Sequence, residues 1–183
     1  MCKITVDNYP LVNPTPIVLV GAQVNGKANY ATVGAFGVVC QGPVFYISLK
    51  STHYTTQGVR ETGYFSVNLS SATMLPKTDY CGKVSGHRVD KSAVFASFYD
   101  DAGPAPMIKD APMNYLCRVI QKTNLRDFDV FFGEVIRTFA REDCLTDGRP
   151  DPIKIAPIVG MGPTYYRWGQ PIGHMFQIPG YEG

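Results

Sequence analysis

The sequence predicts a mainly β protein, a closed antiparallel barrel with short peripheral helices. Three observations carry this. Short runs rich in β-branched and aromatic residues recur through the chain, bounded by Gly, Pro, Asn and Asp. Helical periodicity appears only in brief pieces between them. The runs follow one another through turn signals instead of alternating with long helices, which disfavours a doubly wound parallel sheet.

The first element is Ile17–Val20, extended by Ala22 and Val24, a continuous apolar run that suits a strand buried on both faces. Asn25-Gly26 follows, the dipeptide that best accepts positive φ at both central positions of a tight hairpin. Thr32–Val39 and Val44–Leu49 read as strands separated by the Gly42-Pro43 turn. In "STHYTTQGVRETG" the sequence predicts a short helix entered at a Thr and stopped by Gly63, with Phe65–Leu69 as the next strand. Residues 71–98 read as helical pieces: Ser71 caps a first turn, Pro76 interrupts it, and Asp90 caps "KSAVFASFY". Residues 100–112 have the composition of a loop. Strands resume at Asn114–Lys122 and Phe128–Ile136, and the Pro- and Gly-rich tail from Pro150 reads as an ordered irregular arm.

Composition sets limits on function. A length of 183 residues fits one domain, and 45% hydrophobic against 17% charged residues is ample for a core. The net charge of +2 is spread without basic blocks, which argues against nucleic-acid binding. No apolar run approaches the roughly 20 residues of a transmembrane helix, and the start lacks a secretory pattern. Cys2, Cys40, Cys81, Cys117 and Cys144 are scattered without a CxxC pair, so the expectation is buried filler in a reducing cytoplasm. His53, His87 and His174 have no metal-ligand spacing.

Three stretches could carry chemistry. "GAFG" at 34–37 is half of a dinucleotide fingerprint, but strand material follows it where the fingerprint needs a helix. "SLKSTHYT" (48–55) places hydroxyls, a lysine and the free N–H groups of a helix start together, which is what a phosphate monoester requires; a capped helix start without ligand is the plainer alternative. In "SGHRVDKSAVF" (85–95), Arg88 and Lys91 flank Asp90, and either cation could point inward or simply be solvated.

Taken in order, "PTPIVLVGAQVNGKANYATVGAF", "VFYISLKSTHYTTQGVRETGYFSVNL", "CGKVSGHRVDKSAVF" and "FFGEVI" resemble the flavin reductase-like, FMN-binding split-barrel family, and within it the flavoredoxin branch. The resemblance spans about residues 14–137, with a weaker echo in "YYRWGQPIG". It implies a Greek-key split β-barrel with short flanking helices, one domain over 1–183 with a C-terminal arm at 150–183, and a homodimer with FMN near the subunit interface. By position it implies that Asn29, Ala31, Thr32, Val33 and Gly34 meet the flavin ring, and that Ser48, Leu49, Lys50, His53, Tyr54 and Thr55 form the phosphate side. Lys91 would be a cation tuning the flavin, Tyr165 an aromatic of the arm near the ring. Phe128 stands where the family carries a histidine, and Ala35 where it carries an aromatic.

The resemblance also implies an NAD(P)H-dependent flavin or ferric reductase working by hydride transfer to flavin N5. In that chemistry the cofactor does the bond-making and no protein dyad is needed. The alternatives are a flavoredoxin-like FMN electron carrier serving a redox protein with little NAD(P)H turnover, or a barrel holding another apolar or haem-like ligand.

Overall fold

The computed structural model describes residues 3–5 and 13–173. After the two-residue strand β1 (Thr15–Pro16), strands β2 (Val18–Val24) and β3 (Lys27–Val33) form the expected hairpin, pairing Val24 with Lys27. Asn25 and Gly26 take φ of 50° and 76°, the positive values that a two-residue turn between right-twisted strands requires. β4 (Phe36–Cys40) and β5 (Val44–Lys50) make the next hairpin, followed by α1 (Tyr54–Thr62) and β6 (Tyr64–Leu69). A 3-10 turn (Ala72–Met74) leads into α2 (Leu75–Lys83). β7 (Ser97–Asp100) and β8 (Gly103–Ile108) form a small hairpin, and β9 (Met113–Leu125) and β10 (Phe128–Ala140) a long one. The arm contains β11 (Leu145–Thr146), β12 (Arg149–Pro150), α3 (Pro152–Ile155), β13 (Ile158–Met161) and β14 (Thr164–Arg167).

Seven strands form one antiparallel sheet in the order β3-β2-β6-β9-β10-β5-β4. Its two end strands, β3 and β4, are consecutive in the chain, joined only by Gly34-Ala35, where the backbone amide of Ser48 donates to the Ala35 carbonyl at 3.0 Å. The sheet therefore curls until its ends meet, the defining move of a barrel. Inside lie Val18, Val20, Ala31, Val33, Ile47, Leu49, Phe65, Val67 and Phe131. On the outer face of β2 and β3, Leu19, Ala28 and Tyr30 pack with Met74, Cys81, Phe95 and Ile108. Both faces of β2 are thus covered, which explains its unbroken apolar run.

Helix α1 lies on β2 at the closest distance two backbones allow. A Cβ on Gly58 would sit 2.4 Å from the Gln23 carbonyl oxygen, so only glycine fits. The helix ends at Gly63, left-handed at φ 73°, as expected. Its orientation is set by Asp129 of β10, a fully buried carboxylate. Arg60, in the last turn of α1, clamps it with Nε and Nη2 at 2.8 and 2.9 Å; Asn124 donates at 2.8 Å, and Ser51, just before the helix, donates its hydroxyl. Lys122 stands 3.5 Å away.

Several local expectations are corrected. Thr32–Val39 is not one strand: it breaks at Gly34-Ala35, because closure bends the chain there. The N-cap of α1 is His53 instead of a Thr. Pro76 opens α2 instead of interrupting a helix, since the first turn has no need of its N–H. Asp90 caps no helix; it accepts the Ser92 N–H at 2.8 Å in a turn, and Ser97–Asp100 is a strand. Residues 103–108 are strand as well, because the buried Asn68 amide oxygen takes the Ile108 N–H at 2.9 Å and holds β8 over the sheet. The arm, expected to be irregular, pairs β13 with β1 and with β14. Cys81, Cys117 and Cys144 are buried free thiols, whereas Cys40 is exposed at the barrel edge; Cys2 and His174 lie outside the described residues. Among the described residues no helix is long and apolar enough to cross a membrane.

Arg60, Ser51 and Lys122 hold the Asp129 carboxyl at about 2, down from 3.8, with the Arg60 hydrogen bonds the largest cause. A depressed carboxylate stabilises the fold above the unfolded value and loses that contribution as pH falls through the folded one. Asp129→Asn is expected to lower unfolding free energy by about 2 kcal/mol at neutral pH and by much less near pH 2. Urea titrations at the two pH values check this.

Candidate functional site

The start of α1 faces a cleft of about 200 Å³. One wall is β3 with Ala31 and Thr32; the floor is His53, Tyr54 and Thr55; the opposite wall is the end of α2 and the turn after it, Cys81–Gly86 with Arg88 and Lys91. A second, adjoining cleft shares Tyr54, Gly86, Arg88 and Lys91 and adds Asn29, Lys27 and His87.

The walls are held by polar bonds between distant segments. Lys91, only 4% exposed, donates from Nζ to the Tyr30 carbonyl at 3.0 Å and to the Cys81 carbonyl at 2.8 Å, tying β3 to the end of α2. Burial pushes its pKa below the ordinary lysine value. Asn29 Nδ2 donates to the Thr55 hydroxyl at 2.7 Å, fixing β3 against the first turn of α1. The Thr32 hydroxyl donates to the Thr78 carbonyl. Gly86 comes so near that a Cβ would lie 2.5 Å from Asn29 Oδ1 and 2.6 Å from the Tyr54 ring.

The chemistry of the lining is one-sided. Lys83, Arg88, Lys91 and His53 line the cleft, and among the described residues no carboxylate does. Asp90, in the adjoining cleft, is already bound to Lys27 at 2.8 Å. The N-cap His53 makes no side-chain cap bond, so the first-turn amides of α1 have no side-chain acceptor. Donors, cations and the positive end of a helix on one concavity suit an anion, and a phosphate best. His87 is otherwise engaged: its Nε2 lies 3.1 Å from the Thr52 carbonyl, and its ring meets Tyr54 edge-on at 4.9 Å. Partial desolvation, then the charges of Lys50, Lys91 and His87, push His53 below the ordinary histidine value of 6.5.

Of the residues singled out from sequence, Ala31, Thr32, His53, Tyr54, Thr55 and Lys91 meet in one cleft, with Asn29 beside them. Val33 and Leu49 point into the barrel core. Gly34 sits at the barrel closure, nearest Thr15 and Ile17. Ser48, Lys50 and Phe128 lie on the adjacent β5–β10 ladder, where Phe128 is directly opposite Lys50. Tyr165 reaches α2 from the arm, its hydroxyl 2.9 Å from Asp79, outside the cleft lining. Sequence reasoning weighed Arg88 and left it open, and passed over the wall formed by Cys81–Gly86. The glycines at 82 and 86 were the available signal.

A barrel closed by one strand bent across its seam, with a donor-lined cleft at the first long helix, defines an antiparallel split barrel. The chain belongs to the flavin reductase like domain family, whose profile matches residues 12–156. It is similar to the flavoredoxin of Methanosarcina acetivorans, 37% identical with a TM-score of 0.93 over 97% of each chain. The flavoredoxin of Desulfovibrio vulgaris (Miyazaki F) is 27% identical with a TM-score of 0.89, over 96% of this chain and 98% of that one. An uncharacterized protein of Archaeoglobus fulgidus is 25% identical over 107 residues, 57% of this chain; the match spans only 60% of that relative's length.

His53 titrating below 6.5 is the expectation for the isolated chain. Lys50→Met should raise that midpoint by removing a nearby positive charge, and an imidazole NMR titration of both proteins checks it.

Proposed function

We propose that the chain is an FMN-binding oxidoreductase, with NAD(P)H-dependent flavin or ferric reduction as its activity. The carrying observation is the cleft at the α1 start, lined by His53, Lys83, Arg88 and Lys91 and, among the described residues, by no carboxylate. When bound, FMN supplies hydride and electron transfer, so the protein's work is binding and placement. The first-turn amides of α1 and Thr55, with Arg88 and the cations around them, would hold the phosphate. Asn29, Ala31 and Thr32, on the strand facing that turn, would border the ring. The residues fit this group, since every charged side chain on the cleft is a cation or a histidine. Lys91 holds both walls and places its amine at the same concavity.

A second reading is an electron carrier exchanging with a protein partner, favoured by the similarity to flavoredoxins over nearly the whole chain. In either reading the active form would be a homodimer, with the flavin near the shared face. The location would be cytoplasmic.

The purified chain is expected to be yellow with flavin absorbance; a colourless chain that takes up no added FMN would sink the proposal. NADH oxidation that scales with added FMN supports the reductase, and bleaching only by a reduced redox protein supports the carrier. Arg88→Ala should weaken FMN by about tenfold while changing riboflavin far less, as expected for loss of one charge-assisted phosphate contact. Equal losses in fluorescence titrations would place the phosphate elsewhere.

A further inference from the structure

Resting on the reading of the cleft as a phosphate site, we propose that His53 makes it selective for a phosphate monoester. Its imidazole takes up one proton from solvent as the dianionic group arrives, then donates to a phosphate oxygen. The only bond made is N–H, the proton comes from the buffered solvent, and no electrons move.

The geometry singles out this ring. The His53 backbone is fixed at the helix start: its N–H donates to the Lys50 carbonyl at 2.9 Å, and its carbonyl accepts from Gln57 at 3.3 Å. The residue is exposed; its side chain has no protein hydrogen-bond partner among the described residues and lines the open side of the cleft. The charged and titratable groups around it are Lys50 from β5, Tyr54 from α1, Cys81 and Lys83 from α2, and His87, Arg88 and Lys91 from the following turn. The wall of β3 contributes only Ala31 and Thr32. Partial burial, then the charges of Lys50, Lys91 and His87, lowers the free ring's affinity for a proton; Asp90, the nearby carboxylate of that turn, is paired with Lys27.

A monoester offsets part of the local positive field. Its two negative charges at the α1 start, closer to the ring than most of the cations, favour the imidazolium, which adds a charge-assisted bond. A diester brings one charge and gains less, and a bare alcohol brings none. His87 is not equivalent, because its Nε2 already meets the Thr52 carbonyl. The two histidines thus differ in having a free or an engaged ring.

The test is calorimetry of FMN and riboflavin binding to the full-length chain at about pH 7.5, in two buffers of different ionisation enthalpy. At that pH the free phosphate is almost fully dianionic and itself adds little proton exchange. The expected result is uptake of about half to one proton per FMN and none per riboflavin. FMN affinity should then fall about threefold to tenfold for each pH unit above neutrality. His53→Asn, a residue suited to the N-cap, should lose both the uptake and the pH dependence, while His87→Gln keeps them. Undiminished uptake in His53→Asn, or none in the wild type although FMN outbinds riboflavin, would overturn the inference alone. Equal affinities for FMN and riboflavin would overturn the phosphate reading and this inference with it.

Discussion

The buried carboxylate of Asp129 is the constraint on which the site depends. A charge with no exposure is tolerated only where donors surround it, and here they come from three places: the neighbouring strand, Ser51 in the turn ahead of α1, and the last turn of α1. Satisfying one carboxylate therefore fixes both ends of the helix to the barrel. The amides at its start cannot swing away from the cleft without undoing Arg60 and Ser51 at once.

The other side of the cleft is held by the opposite kind of group. Lys91 is a buried cation whose partners are two backbone carbonyls, one on β3 and one on α2. Two carbonyl acceptors compensate part of what burial costs the amine, and burial still lowers its pKa. Asp129 and Lys91 together make a rigid frame from segments far apart in sequence. Between them the close approaches at Gly58 and Gly86 leave no slack.

Barrel closure explains why the segments at 29–34 and 48–55 lie near each other. The chain leaves β3, bends at Gly34-Ala35 and crosses the seam as β4 to pair with β5, so "NYATVG" and "SLKSTHYT" approach the same end of the sheet. That bend is also where a single long strand read from sequence becomes two. The arm, in turn, folds back onto β1 and leans Tyr165 on α2, adding a brace to the helix that forms the far wall.

Much of this was legible in the residues. The Asn25-Gly26 hairpin, the strands at Val44–Leu49 and Phe65–Leu69, and the stop at Gly63 all follow from local preferences that need no neighbours. Local information failed where distant groups decide. Asn68 turns 103–108 into strand, closure splits Thr32–Val39, and pairing with β1 orders the arm. The sequence by itself determined the strand and turn alphabet, and which short segments could bind an anion. Only the tertiary structure decided that Cys81–Gly86 and Arg88 would complete the cleft, with no carboxylate among its described lining. The reason is that burial and charge neighbourhood belong to the packed molecule, and no window of sequence contains them.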